Sequence, residues 1–427
     1  MTGYICTKKL DMLTVHRSKI YGEIVAPASK SHTQRLLAGA LLARGTSTLI
    51  NPSRSDDAHA ALQIIECLGA LIKDEGERLV IKGGFHPVGQ KLHCGEAGLS
   101  LRMFAPIAAL SDQTMILDGS GTLLKRPVQM VTDSLNQLGV RCQSQNGLVP
   151  VWVRGPLKSG RIRIDGSVSS QLLSGLLFAL PVVKGDSVIE VTDLQSRPYI
   201  DLTLEVLHQF DIRVDHSDYA EFRIPGRQKF RPGVFTAEGD WSGAAFMLVA
   251  GALGGAVTVT GLRTGSSQAD RQVLTALGRA GAGIETAEMK VTVYRKELHA
   301  FDFDATQCPD LFPPLVALAA HCAGTSRIVG IQRLIHKESN RAKILQEEFY
   351  RIGVTVRMDS RNMYITGPSM TKTGDMDPHG DHRIAMAAAV AATCSRTPVR
   401  ISDPDCVAKS YPGFFSDLKK IGGRLNE

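Results

Sequence analysis

The sequence lacks the motifs by which many enzyme classes are first recognised. It contains no GxxxxGK[ST] loop and no GxGxxG fingerprint, so neither ATP nor NAD is indicated as a ligand. It has no HExxH pair and no Cys/His spacing suited to a metal ion, and no GxSxG nucleophile elbow. We therefore expect an activity that uses neither a cofactor nor a metal ion.

Aromatic residues and clustered positive charge are also scarce. Phe, Trp and Tyr make up 6% of the 427 residues, and the 49 Lys and Arg form no continuous run. A nucleic-acid surface is therefore not favoured, although the formal net charge is +7. Small anionic ligands explain a diffuse positive excess equally well, and we expect no nucleic-acid partner.

Paired cysteines and targeting signals are absent as well. The eight cysteines are scattered without a CxxC pair, and the N-terminus carries Lys8, Lys9 and Asp11 without an apolar segment. We expect reduced cysteines, a cytoplasmic location and a monomer. The uncharged run 241–262 is long enough to span a membrane, but Gly254-Gly255 interrupts it. It predicts a buried helix followed by a strand rather than a membrane span.

What the sequence does contain is a sixfold repeat of about 70 residues. Each unit has an apolar Ala/Leu helix, a β-branched strand, a second amphipathic helix that stops at a residue such as Gly69 or Gly139, and a strand pair. The first helices are apolar nearly all round, which indicates burial. They are predicted at 32–44, 100–111, 169–183, 242–253, 311–323 and 382–395.

The repeat predicts an α/β protein of two domains, each with three βαβαββ units, in which buried helices are covered by sheets. The sixth unit reaches residue 427 before its closing strands, so residues 1–21 are free to supply them. The expected division is 22–236 for repeats 1–3, and 1–21 with 237–427 for repeats 4–6. The chain would then cross between the domains twice.

Small, polar and charged residues precede the six buried helices. Parallel buried helices would bring their N-termini, which attract anions, to one cleft between the domains. N-capping accounts for Ser169, Asp240 and Asp310 at least as well as a ligand does. It does not explain the cations in these segments, which suggest a ligand set with several negative charges, unless they form a surface ion-pair network. These cations are Lys30, Arg35, Arg102 and Arg383.

The segments around these helices resemble those of the 5-enolpyruvylshikimate-3-phosphate synthase family over nearly the full chain. The resemblance implies the inside-out α/β barrel of enolpyruvyl transferases. It also implies transfer of enolpyruvyl from phosphoenolpyruvate to the 5-hydroxyl of shikimate 3-phosphate. The matching segments are Pro27-Ala28-Ser29-Lys30-Ser31, Asp165 to Gln171, Pro198-Tyr199-Ile200-Asp201, Lys337-Glu338-Ser339-Asn340-Arg341, Asp381 to Met386 and Ala408 to Pro412.

The resemblance also implies residue roles. Lys30, Asp310, Glu338 and Lys409 would be catalytic, with Asp310 accepting the hydroxyl proton and Lys30 or Glu338 protonating the methylene carbon. The expected shikimate 3-phosphate ligands are Lys30, Ser31, Arg35, Ser169, Ser170, Gln171, Ser196, Tyr199, Asp310 and Lys337. The expected phosphoenolpyruvate ligands are Lys30, Gly98, Arg126, Gln171, Arg341, Arg383 and Lys409.

Four positions depart from the family pattern, one of them being Met103, which stands where some members have a Pro. Glu96 and Leu99 stand in a segment that commonly reads Asn-Ala-Gly-Thr, and Asn340 replaces an Asp. A carboxylate at position 96 is unexpected near an anion unless it turns away or pairs with an arginine. The changes leave open a diverged enolpyruvyl transferase with another acceptor.

Two further alternatives are less favoured. UDP-N-acetylglucosamine enolpyruvyl transferase carries a Cys where this chain has Gly121. A non-enzymatic anion binder would be expected to have lost its acid and base residues, but Lys30, Asp310, Glu338 and Lys409 are all present.

Overall fold

The computed structural model describes residues 12–335, 337–369 and 372–426. Residues 1–11, the first part of the predicted N-terminal segment, lie outside this range. Over the described residues the α-helices are α1 (Lys30–Leu42), α2 (Asp56–Cys67), α3 (Gly98–Ala108), α4 (Gln129–Gln137), α5 (Gln171–Ala179), α6 (Arg197–Gln209), α7 (Trp241–Gly254), α8 (Val273–Arg279), α9 (Phe312–Ala319), α10 (Arg341–Arg351), α11 (His382–Ala392) and α12 (Phe414–Lys420).

The strands form four-stranded mixed sheets, six of them in the described chain. They are β1 (Met12–His16), β2 (Ile20–Val25), β3 (Gly45–Ile50), β4 (Leu71–Asp74), β5 (Arg78–Gly83), β6 (Lys91–His93), β7 (Thr114–Asp118), β8 (Arg141–Gln145), β9 (Leu148–Arg154), β10 (Arg161–Asp165), β11 (Ser187–Thr192), β12 (Asp215–Ser217), β13 (Glu221–Ile224), β14 (Val234–Thr236), β15 (Gly255–Thr260), β16 (Gly283–Ala287), β17 (Lys290–Tyr294), β18 (Asp302–Asp304), β19 (Gly324–Val329), β20 (Thr355–Met358), β21 (Asn362–Gly367), β22 (Gly374–Met376), β23 (Val399–Ser402) and β24 (Arg424–Asn426).

The sheets confirm the sixfold repeat and the α/β fold class. In the third unit the order is β10-β11-β13-β12, with β10 parallel to β11 and the β12–β13 hairpin antiparallel. Helix α5, which joins β10 to β11, is buried at every position from Leu172 to Ala179. The first helices of the other units are buried as well, although α1 and α11 begin with polar or charged residues.

Strand β1 completes the sixth sheet, whose order is β22-β23-β1-β24. It pairs antiparallel with β23 and with β24. The expectation that the sixth unit ends without closing strands was therefore wrong in part. The C-terminal residues Arg424–Asn426 form the outer strand of the closing pair, and the N-terminal segment supplies only the inner one.

Each segment that crosses between the halves contains a strand that pairs in the sheet of the half that the chain is leaving. Strand β2 leads into α1 but pairs with β15, while β14 leads into α7 but pairs with β3. Ile24 accordingly packs in the apolar core of the C-terminal half, and Phe235 packs in that of the N-terminal half. The expected boundary at residue 22 therefore cuts through β2, and strand pairing supports a crossing after Val25.

The uncharged run 241–262 folds as expected, with the buried helix α7 followed at once by β15. No helix within the described residues is long and apolar enough to cross a membrane. The uncharged composition is explained by the place of α7 at the centre of the C-terminal core, where Trp241 and Phe246 are fully buried.

Candidate active site between the two halves

A cavity of about 380 Å³ lies between the two halves, where α1, α3 and α5 of one half face the segments before α9, α10 and α11 of the other. Every predicted site residue except Arg341 and Lys409 lines it. The lining therefore includes Lys30, Ser31, Arg35, Gly98, Arg126, Ser169, Ser170, Gln171, Ser196, Tyr199, Asp310, Lys337, Glu338 and Arg383.

A larger hollow of about 1420 Å³ lies at the opposite ends of the buried helices, around Gly254 and Cys394. None of the predicted site residues lines it. Its cations, such as Arg295 and Arg396, lie beside helix C-termini, where positive charge is favourable. Size alone therefore does not locate the site, whereas the convergence of helix N-termini and charged groups does.

Lys30 begins α1 behind the N-cap Ser29. Its Nζ donates to Asp57 Oδ2 at 2.7 Å, and both side chains are largely buried. Burial raises the pKa of Asp57, while Lys30 opposes that rise. Asp57 was missed by the sequence reasoning, although its place in the first turn of α2, behind the cap Ser55, is a detectable signal.

Arg341 begins α10 and is fully buried at the centre of three carboxylates. Its Nη1 donates to Asp310 at 2.8 Å and its Nε to Asp381 at 2.8 Å, while Nη2 donates to Glu338. Asp381 also caps α11 by accepting from Arg383 N at 3.0 Å. The guanidinium thus joins the starts of α9, α10 and α11, and it stands behind the cavity wall.

The carboxylate of Asp310 faces two further cations, Lys337 Nζ at 3.1 Å and Arg383 Nη2 at 3.3 Å. Burial alone would raise the pKa of Asp310, but Arg383, Lys337 and Arg341 together hold it well below its usual range. Burial would also raise the pKa of Glu338, but Arg341 and Arg126 hold it well below its usual range. Both carboxylates are therefore ionised at neutral pH and can accept a proton.

These depressed pKa values predict how stability depends on pH. An Asp with a folded pKa below its unfolded value of about 3.9 stabilises the protein above that value and stops doing so as the pH falls through the folded pKa. The free energy of unfolding of the wild type should exceed that of Asp310→Asn both at pH 7 and at pH 5. The difference should shrink below about pH 4, measured by urea unfolding.

Asp270 provides a control, because its effect on stability changes with pH in the opposite direction. Burial and Asp310 raise its pKa to about 6, so its ionisation opposes folding as the pH rises from about 4 to about 6. Asp270→Asn should therefore gain stability relative to the wild type over that interval. A wild-type advantage over Asp310→Asn that already disappears at pH 6 would contradict the charge cluster.

Three serines gather at the other end of the cavity. Ser169 and Ser170 precede α5, and Ser196 caps α6 with a φ of 58°. Arg333 reaches across from the C-terminal half, and its Nη2 donates to Ser196 Oγ at 3.0 Å and its Nη1 to Val168 O at 3.0 Å. Its Nε has no hydrogen-bond partner among the residues that the structure describes, so this cation can still receive an anion. Nothing in the repeat distinguished Arg333 from a surface arginine.

The cavity wall between these two ends is held by buried arginines. Arg35 donates to Ser31 O and Thr203 Oγ1, both at 2.8 Å, and to Tyr199 O at 3.2 Å. Arg102, noted in the sequence only as a cation, donates to Gln171 Oε1 at 2.9 Å. Both guanidinium groups therefore orient backbone and side chains that line the cavity.

Lys409 lies outside the cavity lining. Its Nζ pairs with Glu96 at 2.9 Å and donates to Gly380 O at 2.8 Å. The unexpected carboxylate at position 96 thus pairs with a lysine of the other half rather than with an arginine. Asn340, the other departure, caps α10 by accepting from Lys343 N at 3.4 Å.

Comparison with known proteins gives the class first. The chain superposes on EPSP synthase from Acinetobacter baumannii with a TM-score of 0.81 and 22% identity, covering 97% of this chain and 100% of that one. It superposes on the enolpyruvyl transferase NikO from Streptomyces tendae with a TM-score of 0.78 and 17% identity, covering 97% and 98%. The protein therefore has the two-domain enolpyruvyl transferase fold, as predicted.

The sequence comparisons are more specific. The profile of the EPSP synthase (3-phosphoshikimate 1-carboxyvinyltransferase) family matches residues 15–418. The 3-phosphoshikimate 1-carboxyvinyltransferase of Clostridium kluyveri is 38% identical over 97% of this chain and 98% of its own. That of Methanocorpusculum labreanum is 36% identical over 97% and 99%. The chain belongs to the EPSP synthase family, which confirms the resemblance found in its motifs.

Proposed function

We propose that the interdomain cavity transfers the enolpyruvyl group of phosphoenolpyruvate to the 5-hydroxyl of shikimate 3-phosphate, releasing phosphate. Family membership and the names of the relatives confirm the predicted function and enzyme class, a step of chorismate and aromatic amino acid biosynthesis. The observation that carries the residue assignment is the pair of ionised carboxylates, Asp310 and Glu338, within a cavity lined by cations. Such an arrangement suits two anionic substrates that exchange protons.

The acceptor fits the arrangement of polar groups along the cavity. Ser169, Ser170 and Ser196 would bind its phosphate, with Arg333 as a further cation, and Gln171 and Tyr199 would lie against its ring. Ser31 would meet its carboxylate, with the buried Arg35 holding the backbone of Ser31 in place. The remaining proposed contacts are Lys30, Asp310 and Lys337.

Phosphoenolpyruvate would lie between Lys30, Gly98, Arg126 and Arg383, beside Gln171. Arg126 lies 3.9 Å from Glu338, and its Nε has no partner within the described part of the chain, so it can turn toward a phosphate. Arg383 Nη1 is likewise buried without a partner in that part of the chain. Arg341 and Lys409 remain predicted ligands, but their donors are engaged with protein groups, which favours indirect roles.

The proposed reaction is an addition followed by an elimination. Asp310 accepts the proton of the 5-hydroxyl as its oxygen bonds to C2 of phosphoenolpyruvate, and Lys30, or Glu338 once it has taken up a proton, gives a proton to C3. The resulting tetrahedral ketal is stabilised by the surrounding cations. The group that protonated C3 then takes a proton back from it, the C2–O bond to phosphate breaks as the double bond re-forms, and the proton held by Asp310 leaves with the released phosphate.

Phosphate release tests the proposed function. Purified protein should release phosphate from phosphoenolpyruvate when shikimate 3-phosphate is present and not when it is omitted. UDP-N-acetylglucosamine serves as the control acceptor. Release with that acceptor, or with another hydroxylated acid but not with shikimate 3-phosphate, would overturn the proposal.

Arg333 gives a prediction specific to the acceptor. Arg333→Ala should raise KM for shikimate 3-phosphate by about 10- to 100-fold, because a hydrogen bond to a charged group contributes about 1.5–3 kcal/mol. The kcat should change by less than about threefold, since the interaction is the same in the bound substrate and in the transition state.

Arg327 is a matched control, because it is an exposed arginine of the same half that pairs with Asp302 at 2.8 Å and lies outside the cavity lining. Arg327→Ala should leave KM for shikimate 3-phosphate within about twofold of the wild type. Equal effects of the two substitutions, measured by initial rates, would remove Arg333 from the phosphate site.

We also propose where the chain divides into two domains, and that the protein is a cytoplasmic monomer. The crossing segments lie side by side, because Ala28 and Gly239 form an isolated antiparallel bridge. We place the domains at residues 27–237 and at the remainder, with these segments as the hinge for closure. A cytoplasmic monomer remains our expectation, which size-exclusion chromatography with light scattering would check.

A further inference from the structure

An ion pair joins the two halves at the rim of the cavity. Glu96 precedes α3 in the N-terminal half, and Lys409 ends a 3₁₀ helix (Pro404–Lys409) in the C-terminal half. Lys409 Nζ lies 2.9 Å from Glu96 Oε2, and the two side chains are 13% and 24% exposed. The pair is therefore better shielded from solvent than an ordinary surface salt bridge, which contributes little.

Both partners are fixed by further hydrogen bonds. Glu96 Oε2 also accepts from Thr122 N at 2.7 Å, and Lys409 Nζ donates to Gly380 O at 2.8 Å. Although burial alone would raise the pKa of Glu96, Lys409 and Thr122 N lower it, so this carboxylate stays ionised. Glu96 is thus held in place by the N-terminal half and Lys409 by the C-terminal half, and the two side chains meet between the halves.

The backbone around Glu96 is shaped to admit its carboxylate. Gly121 has a φ of 52°, and a Cβ at that position would lie 2.3 Å from the carboxyl carbon of Glu96. Any larger residue at 121 would displace the carboxylate as well as strain the backbone. The loop from Gly121 continues to Arg126, which lines the cavity, and Glu96 lies two residues before Gly98.

We propose that Glu96 is a positioning residue that holds Lys409 across the gap and thereby closes the two halves over the cavity. The proposal rests on the proposed function, since its consequence is assembly of the phosphoenolpyruvate subsite from Gly98 and Arg126 on one side and Arg383 on the other. Glu96 acts through Lys409, so its removal has no further effect once Lys409 is gone.

The test is a double-mutant cycle with Glu96→Gln, Lys409→Met and the double variant. Glu96→Gln should raise KM for phosphoenolpyruvate by about 3- to 10-fold, as expected from loss of a partly buried ion pair. Lys409→Met should raise it at least as much, and the double variant should match Lys409→Met within about twofold. Small-angle scattering of the ligand-free Glu96→Gln protein should give a larger radius of gyration than the wild type.

The control removes an ion pair that lies within one half. Glu190→Gln, which loses the pairs with Arg161 and Arg163, should leave KM and the radius of gyration unchanged. A lower KM in Glu96→Gln would show instead that Glu96 competes with the substrate for Lys409, and would overturn the proposal. A double variant whose increase in KM equals the product of the two single increases would also overturn the proposal. Wild-type protein that is inactive with shikimate 3-phosphate would refute the proposed function, whereas the scattering result would still decide whether Glu96 closes the halves.

Discussion

Lys30→Met is expected to lower kcat by about 10²- to 10⁴-fold, the usual contribution of a general acid or base. Lys30 starts α1, lines the cavity and is fixed at 2.7 Å from Asp57. Its ammonium is a proton donor available to C3 of phosphoenolpyruvate, because Glu338 is ionised in the unliganded site. The measurement is steady-state phosphate release at saturating concentrations of both substrates.

A second variant separates chemistry from folding. Lys30→Met leaves the buried Asp57 without its counter-ion, which by itself would destabilise the protein. Adding Asp57→Asn removes that unpaired charge, so the double variant should recover stability toward urea without recovering kcat. Near-wild-type turnover in the stable double variant would reject the role proposed for Lys30.

Arg341→Met is expected to lower the free energy of unfolding by about 3–5 kcal/mol, the cost of removing one partner from a buried ionic group. The guanidinium is fully buried and donates to Asp310, Glu338 and Asp381. Without it three carboxylates remain close together with fewer cations, so some of them should take up protons. Urea unfolding at pH 7 measures the loss, and at pH 5 the loss should be smaller.

Lys343 provides the comparison on the same helix. Its side chain is exposed and pairs with Glu347 one turn further along, so Lys343→Met should change the free energy of unfolding by less than about 0.5 kcal/mol. An Arg341→Met protein as stable as Lys343→Met would contradict the description of Arg341 as the centre of the charge cluster.

The sequence predicted the fold well because each repeat has a recognisable pattern of hydrophobic residues. Six apolar helices, each followed by a β-branched strand, can be read from periodicity alone. The exchange of β2 and β14 between the two halves could not be read in this way, since a strand does not reveal which sheet edge receives it. The same limit applies to β24, a short C-terminal strand whose partner β1 lies at the other end of the chain.

The sequence predicted which helix N-termini form the site, but it did not predict the contacts between side chains within the site. Serines and cations before α1, α5 and α11 pointed to an anion cleft, and they do line one cavity. The sequence could not show that Arg341 is engaged by three acids, or that Lys409 meets Glu96, because these contacts join distant repeats. Arg333 was missed because no local pattern marks a side chain that reaches across a domain gap.

Identification of the product tests the central claim most directly. After incubation with both substrates, mass spectrometry and phosphorus NMR should find shikimate 3-phosphate carrying an enolpyruvyl ether at its 5-hydroxyl, with one free phosphate for each product molecule. Pyruvate and phosphate beside unchanged shikimate 3-phosphate, or an enolpyruvyl ether formed only on a different acceptor, would contradict it.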